Sequence, residues 1–273
     1  MAAHGLPVTD LLRRAGSDGL SLCVDIGTHP KDLEQRRSLL RDFSRGDVKA
    51  ASGSRASPGS GGAPAPAAVF TAGIYPSHSR DDGLASVLEL LASQLAGDCV
   101  VACGEIGIDF HWDYGTREEQ QALFETQIAL ANESRKPIVI HCRESEGAIL
   151  ESIDRTPPRF GAVLHCFSSD EAFADELIER DLYLSFGGNL SYKRSEGIRA
   201  ACARVPVDRL LLETDSPYLA PQEVRGRENV PGHIGYTYEL AARVRGEPLE
   251  RLVNIVGENT GRLFDLDPEP ASG

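Results

Sequence analysis

Seven short apolar runs punctuate the chain. They are LSLCVDIG (20–27), VFTAGIY (69–75), CVVACGEIG (99–107), PIVIHC (137–142), AVLHCF (162–167), LYLSFGG (182–188) and RLLLETD (209–215). Each is rich in aliphatic and β-branched residues and too short for a typical helix, so each predicts a buried strand. Amphipathic stretches lie between them. In GLASVLELLASQL, Leu84, Val87, Leu88, Leu91 and Leu95 share one helical face, and in ALFETQIALA, Phe124, Ile128 and Ala131 do the same. The tail EPLERLVNIVGENTGRLF predicts a last helix with Leu249, Leu252, Val253 and Val256 as its stripe.

Strand and helix alternate along the chain, which implies a parallel α/β sheet with right-handed crossovers. Seven strands are one short of a closed (β/α)8 TIM barrel. A doubly wound open sheet is the alternative, but no glycine-rich phosphate loop follows the first predicted strand. Residues 46–68 have no apolar period and are dominated by Gly, Ala, Ser and Pro. They are expected to form a flexible insertion in a single domain spanning 1–273, not a boundary.

Chemistry enters at the strand ends. Glu105, His141, His165 and Asp215 lie at or near the ends of four predicted strands, with Glu213 two residues before Asp215. In a parallel barrel the C-terminal strand ends meet at one rim. Two imidazoles and two carboxylates suit Mg²⁺, Mn²⁺ or Zn²⁺ better than a soft metal. Alone, each has a plainer reading: a histidine at a strand end is usually a hydrogen-bonded core residue, and a glutamate a cap or ion-pair partner. Four together, buried with no cation, would leave charge uncompensated at a large cost.

Charge and composition narrow the setting. The chain of 273 residues carries 28 Lys+Arg against 41 Asp+Glu, a net charge of −13, which disfavours non-specific binding of long nucleic acid through a basic surface. Phosphate held through bound cations remains compatible with it. No apolar run reaches the roughly 18 residues of a membrane span. The start, MAAHGLPVTDLLRRAG, lacks the basic and apolar blocks of a signal peptide. The six cysteines, Cys23, Cys99, Cys103, Cys142, Cys166 and Cys202, form no C-x-x-C pair and are expected to be reduced, buried thiols of a cytoplasmic protein.

The stretches GEIGIDFHWDYGTREEQQALFETQIALANESRKPIVIHCRES, HCFSS, RLLLETDSPYLAP and NVPGHI…GENTGRLF closely resemble the TatD-related metal-dependent deoxyribonucleases. The resemblance is close over residues 69–266 and looser over 6–44. It implies a TIM-barrel hydrolase with one or two divalent metal ions that cleaves phosphodiester bonds in DNA or oligonucleotides. Carried over by motif, Glu105 would bridge two metals, His141 and His165 would ligate one of them, and Asp215 would bind metal and orient or deprotonate the attacking water. Two features depart from the family pattern. No D-x-H-x-H strand opens the chain, so the barrel is expected to lack its first strand, and Met1 is hypothesised to be an internal methionine taken as the start. Tyr75 stands where the family usually has histidine, with His78 a conceivable stand-in nearby.

Other residues carry paired expectations. Arg143 would either neutralise a phosphate or form a salt bridge with Glu144 or a neighbouring carboxylate. His111 and Trp112 would contact a nucleotide base or pack against the next helix. Lys193 and Arg194 would meet a DNA backbone or simply be solvated. His233 is expected to be structural, His29 is left outside the metal set, and Gly187–Gly188 answers a turn. The leading expectation is a monomeric deoxyribonuclease with no membrane contact and no obligate protein partner. The rivals are an amidohydrolase-type C–N or ester hydrolase and a degenerate, non-catalytic barrel.

Overall fold

The computed structural model describes residues 7–43 and 66–266. Seven parallel strands run in sequence order across one sheet: β1 (Leu22–Asp25), β2 (Ala67–Ala72), β3 (Val100–Asp109), β4 (Ile138–Arg143), β5 (Ala162–Leu164), β6 (Tyr183–Phe186) and β7 (Leu210–Leu212). The sheet curls into a partial barrel with β1 and β7 at its edges. The helices are α1 (Val8–Ser17), α2 (Leu33–Leu39), α3 (Leu84–Leu95), α4 (Arg117–Glu133), α5 (Glu146–Arg155), α6 (Glu171–Glu179), α7 (Glu196–Arg204), α8 (Ile234–Arg245) and α9 (Leu249–Phe264). All seven expected strands form, and every strand runs the same way, so their C-terminal ends share one rim.

The apolar pattern explains which faces are buried. On α3, Val87, Leu91 and Leu95 turn inward, and on α4, Phe124, Ile128 and Ala131 are fully covered. On α9 the expected stripe is half right. Leu252 and Val256 are buried and the face continues through Asn259 and Leu263, whereas Leu249 and Val253 are 43% and 45% exposed. The inward face advances at the helical period of 3.6 from Leu252, and that period leaves Leu249 and Val253 on the flank. Asn259 belongs inside because its amide donates to the Val207 and Leu210 carbonyls, both at 2.8 Å, at the start of β7.

The expected insertion at 46–68 lies outside the described residues except for its last three positions. There β2 already begins at Ala67, so the apolar-poor range was drawn too far into the strand. Of the six cysteines, all unpaired, only Cys103 and Cys202 are buried; the other four are partly covered.

Two devices set the rim beside β3 and β4. At Gly107 the backbone φ is +150°, and a Cβ there would lie 2.0 Å from the His141 carbonyl oxygen, so only glycine lets the two strands pair at this level. Buried Gln120 on α4 accepts from the Asp109 N–H at 2.8 Å and donates to its carbonyl at 3.0 Å, clamping the last residue of β3. A second buried glutamine, Gln127, does the same for Ile74, at 2.7 and 3.0 Å, just beyond β2. Both side chains satisfy backbone groups where the ladders end, which would otherwise be buried without partners.

Candidate metal centre

Four strands deliver the central cluster. Glu105 sits midway along β3, not at its end as expected, because Gly107 lets β3 continue beside β4 to Asp109. His141 is in β4, His165 follows β5 directly, and Glu213 and Asp215 follow β7. A single oxygen, Glu105 Oε1, lies 2.8 Å from His141 Nδ1 and 2.7 Å from His165 Nε2. On its other side His165 Nδ1 is 3.3 Å from Glu213 Oε1. Asp215 completes a second group with His165 and Glu213, and its Oδ2 accepts from the Cys166 thiol at 3.7 Å. Asp215 and Cys166 both adopt left-handed backbone conformations, φ +55° and +50°, at a cost of roughly 1 kcal/mol or more each.

Two residues outside the expected set hold His141. Its Nε2 lies 3.2 Å from Asp109 Oδ2 and 3.1 Å from the Tyr75 hydroxyl, which itself donates to Asp109 Oδ2 at 3.2 Å. The other Asp109 oxygen accepts the His111 and Trp112 N–H groups at 2.9 and 3.3 Å. Asp109 is therefore fully engaged, and it is completely buried. With Nε2–H committed to Asp109, His141 presents Nδ1 to Glu105, the tautomer a metal-ligating imidazole needs on that side. Tyr75 takes part through its own hydroxyl, while His78 is turned away to Asp81 at 2.6 Å and does not enter the cluster.

The electrostatics follow from crowding four carboxylates around two imidazoles. Burial opposes charge on Glu105, but His165 and His141 overcome it and hold the carboxyl well below the usual range. Burial likewise opposes charge on both imidazoles. Asp109 and Glu105 nevertheless raise His141, and Glu105 and Glu213 raise His165 well above its ordinary value. Burial, then the neighbouring Glu213 and Glu105 charges, push Asp215 up to about 6. In chemical terms the cluster recruits protons to offset its negative charge. A divalent cation offsets the same charge and releases those protons, so the donor set fits such an ion. Glu105–His141–His165 and His165–Glu213–Asp215 each place one donor atom per residue within 4.8 Å of the others.

The remaining expected residues divide. His111, Trp112 and Arg143 do gather on the same rim: Trp112 is 52% exposed, the His111 ring meets it edge-on at 4.8 Å, and the Arg143 guanidinium lies 5.8 Å from its ring centre. Glu144, the ion-pair partner considered for Arg143, places Oε1 2.6 Å from His111 Nδ1. Lys193 and Arg194 are exposed just before α7. His233 Nδ1 is 3.0 Å from Asn229 Oδ1, as befits a structural residue. Gly188 answers a close approach, since a Cβ there would lie 2.1 Å from the Leu219 carbonyl oxygen. Asp109 was missed because it stands past the expected end of β3; its signal is the Gly107 step, which prolongs the strand and pairs Asp109 with Arg143.

Comparison with known proteins identifies the family and the fold. The family model described as TatD related DNase matches residues 60–265. The uncharacterized metal-dependent hydrolase YcfH of Escherichia coli K12 is 36% identical over 261 residues, covering 95% of this chain and 89% of its own. The 3'-5' ssDNA/RNA exonuclease TatD of Pectobacterium carotovorum is 34% identical over 205 residues, covering 72% of this chain and 77% of its own. In fold, the crystal structure of the Escherichia coli TatD homolog YJJV superposes with a TM-score of 0.77 at 24% identity, covering 94% of this chain and 90% of that one. With the family model matching residues 60–265 and a relative 36% identical over 95% of the chain, the chain belongs to the TatD-related DNase family.

Proposed function

We propose that this chain is a divalent-metal-dependent phosphodiesterase that cleaves DNA or short oligonucleotides, with Glu105, His141, His165 and Asp215 holding the metal. The observation that carries the reading is the convergence of His141 Nδ1 and His165 Nε2 on one oxygen of Glu105. Glu105, His141 and His165 would together hold a divalent ion there. Glu213, on the far side of His165, either joins the ligand set or orients that ring. Mg²⁺, Mn²⁺ and Zn²⁺ are the metals the nitrogen and oxygen donors suit, with one or two ions per chain.

A divalent ion held there would supply Lewis-acid chemistry at the phosphoryl group and at water. The chain's own residues do the rest. Asp215 orients the attacking water and accepts its proton, and a cation held beside it would favour the ionised carboxylate that this task needs. Asp109 and Tyr75 keep His141 in the tautomer that presents Nδ1. Trp112 offers a flat apolar face for a base, His111 a polar edge beside it, and Arg143 a positive charge for a phosphate. The net charge of −13 favours chain ends and single strands over long duplex. Six unpaired cysteines suit a reducing, cytoplasmic setting, and the reading takes the chain as a monomer whose partner is nucleic acid. No helix of the described residues is long and apolar enough to cross a membrane.

The test sets a chromogenic phosphodiester and an end-labelled oligonucleotide against amide and lactone substrates, with each metal in turn. Phosphodiester cleavage that Glu105→Ala abolishes is the expected result. Hydrolysis confined to amides or lactones would favour the amidohydrolase reading, and a wild-type chain that takes up no metal would favour a non-catalytic barrel.

A further inference from the structure

A second group of metal-type donors lies outside the central cluster and shares no residue with it. His29 is in the loop that follows β1, and His78 and Asp81 lie in the turn that follows β2. The two segments are far apart in sequence, yet the His29 and His78 rings meet edge to face with centroids 4.7 Å apart. His78 Nδ1 lies 2.6 Å from Asp81 Oδ2. One donor atom from each of the three falls within 4.8 Å of the other two. Backbone ties the two loops together where Tyr75 N–H donates to the Thr28 carbonyl at 3.0 Å, and within the second turn Asp81 N–H donates to the His78 carbonyl at 3.1 Å. The Ser79 hydroxyl anchors the same turn to the Tyr114 carbonyl at 2.6 Å.

We propose that His29, His78 and Asp81 form a binding site for a divalent transition-metal ion of the Zn²⁺ class. Two imidazoles and one carboxylate are a recurrent donor set for Zn²⁺ and its first-row neighbours, and too poor in oxygen for Ca²⁺ or Mg²⁺. The donors are partly exposed, which leaves the remaining coordination positions to water. Availability of the lone pairs decides whether the set can ligate. The Nδ1 lone pair of His29 accepts only the Lys31 N–H, at 3.1 Å, and that hydrogen bond is exposed. A metal that takes Nδ1 leaves the Lys31 amide to water, at a cost of about 1 kcal/mol. When His78 donates Nδ1–H to Asp81, its Nε2 lone pair is free; when the metal takes Nδ1 instead, Asp81 turns its charge to the ion. With neutral imidazoles the set carries one negative charge, which an incoming dication more than offsets. The site stands whether or not the central cluster performs the proposed chemistry.

The experiment counts Zn²⁺ on the whole chain by equilibrium dialysis after metal stripping, with affinities from competition against a chromophoric chelator. Wild type, H29A/H78A, D81N and E105A are compared. H29A/H78A is expected to bind one Zn²⁺ per chain fewer than wild type, and D81N to weaken that ion at least about tenfold. E105A is expected to keep the ion that H29A/H78A loses. Circular dichroism of the metal-free proteins checks folding; where H29A/H78A fails it, D81N, an exposed isosteric change, decides. Equal stoichiometry and affinity in wild type and the folded variants would overturn the site, as would loss of the same ion in E105A.

Discussion

Replacing Asp109 with asparagine separates the shape of the centre from its charge. Asp109 is 0% exposed and makes four contacts: Oδ1 accepts two backbone N–H groups, and Oδ2 accepts the Tyr75 hydroxyl and faces His141 Nε2. Asparagine has nearly the same volume but one acceptor oxygen in place of two. Whichever way its amide turns, the NH₂ group faces donors, either the His111 and Trp112 amides or the Tyr75–His141 pair. One buried unsatisfied contact costs about 1–3 kcal/mol, and loss of the charge opposite His141 adds to it. We expect D109N to lower metal-free stability by about 2–4 kcal/mol in urea unfolding. We also expect it to weaken metal binding about 10–100-fold, because His141 is freed to adopt the other tautomer. Urea titration gives the first quantity and chelator competition the second. A folded D109N chain that binds metal within about twofold of wild type would refute the role assigned to Asp109, since no arrangement of asparagine preserves all four contacts.

Three further outcomes test other parts of the structure. Tyr75→Phe removes one hydroxyl shared between Asp109 and His141; it should cost about 1 kcal/mol of stability and leave metal stoichiometry unchanged, as judged by thermal unfolding and metal analysis. The metal-free chain should lose stability as pH rises. His165 and His141, raised above 6.5 by their carboxylates, contribute fully below that value and progressively less as pH climbs through their folded values, and Asp215, raised from 3.8 to about 6, acts in the same direction. Saturating metal should flatten that slope by displacing the protons, which melting curves from about pH 6 to pH 9 would reveal. On α9, Leu252→Ala should cost about 2–5 kcal/mol and Val253→Ala less than about 0.5, because one side chain is fully buried and its neighbour is 45% exposed.

The parts legible in the sequence were those written in short-range pattern. Each apolar run became a strand, and α3 and α4 bury the faces their periodicity marks, because burial of a stripe is what the period records. The stripe of α9 was misjudged at Leu249 and Val253, where apolar residues flank the inward face; hydrophobic identity cannot say which of two adjacent faces meets a neighbour. Strand ends were less legible still. The run beginning at Cys99 was expected to stop at Gly107, a residue that usually weakens a strand, whereas here it is what admits the His141 backbone and carries β3 on to Asp109.

That misplaced end had a chemical consequence. With β3 stopped at Gly107, Glu105 stood near a strand end and Asp109 fell into a loop, where an aspartate attracts no notice. Once the strand runs on, the two carboxylates take opposite sides of His141: Glu105 at Nδ1 and Asp109 at Nε2. A histidine between two carboxylates, one of them fully buried, has its tautomer and ring orientation chosen for it. The pairing of Gly107 with His141 and of Asp109 with Arg143 places all of this in one register. A shift of that register by one residue would move the carboxylates to the other face of the sheet and dissolve the centre. Glycine at 107 is thus as necessary to the site as the residues that would touch a metal. Alanine there would force the strands apart beside His141, and both hydrogen-bond partners of its ring would be displaced together.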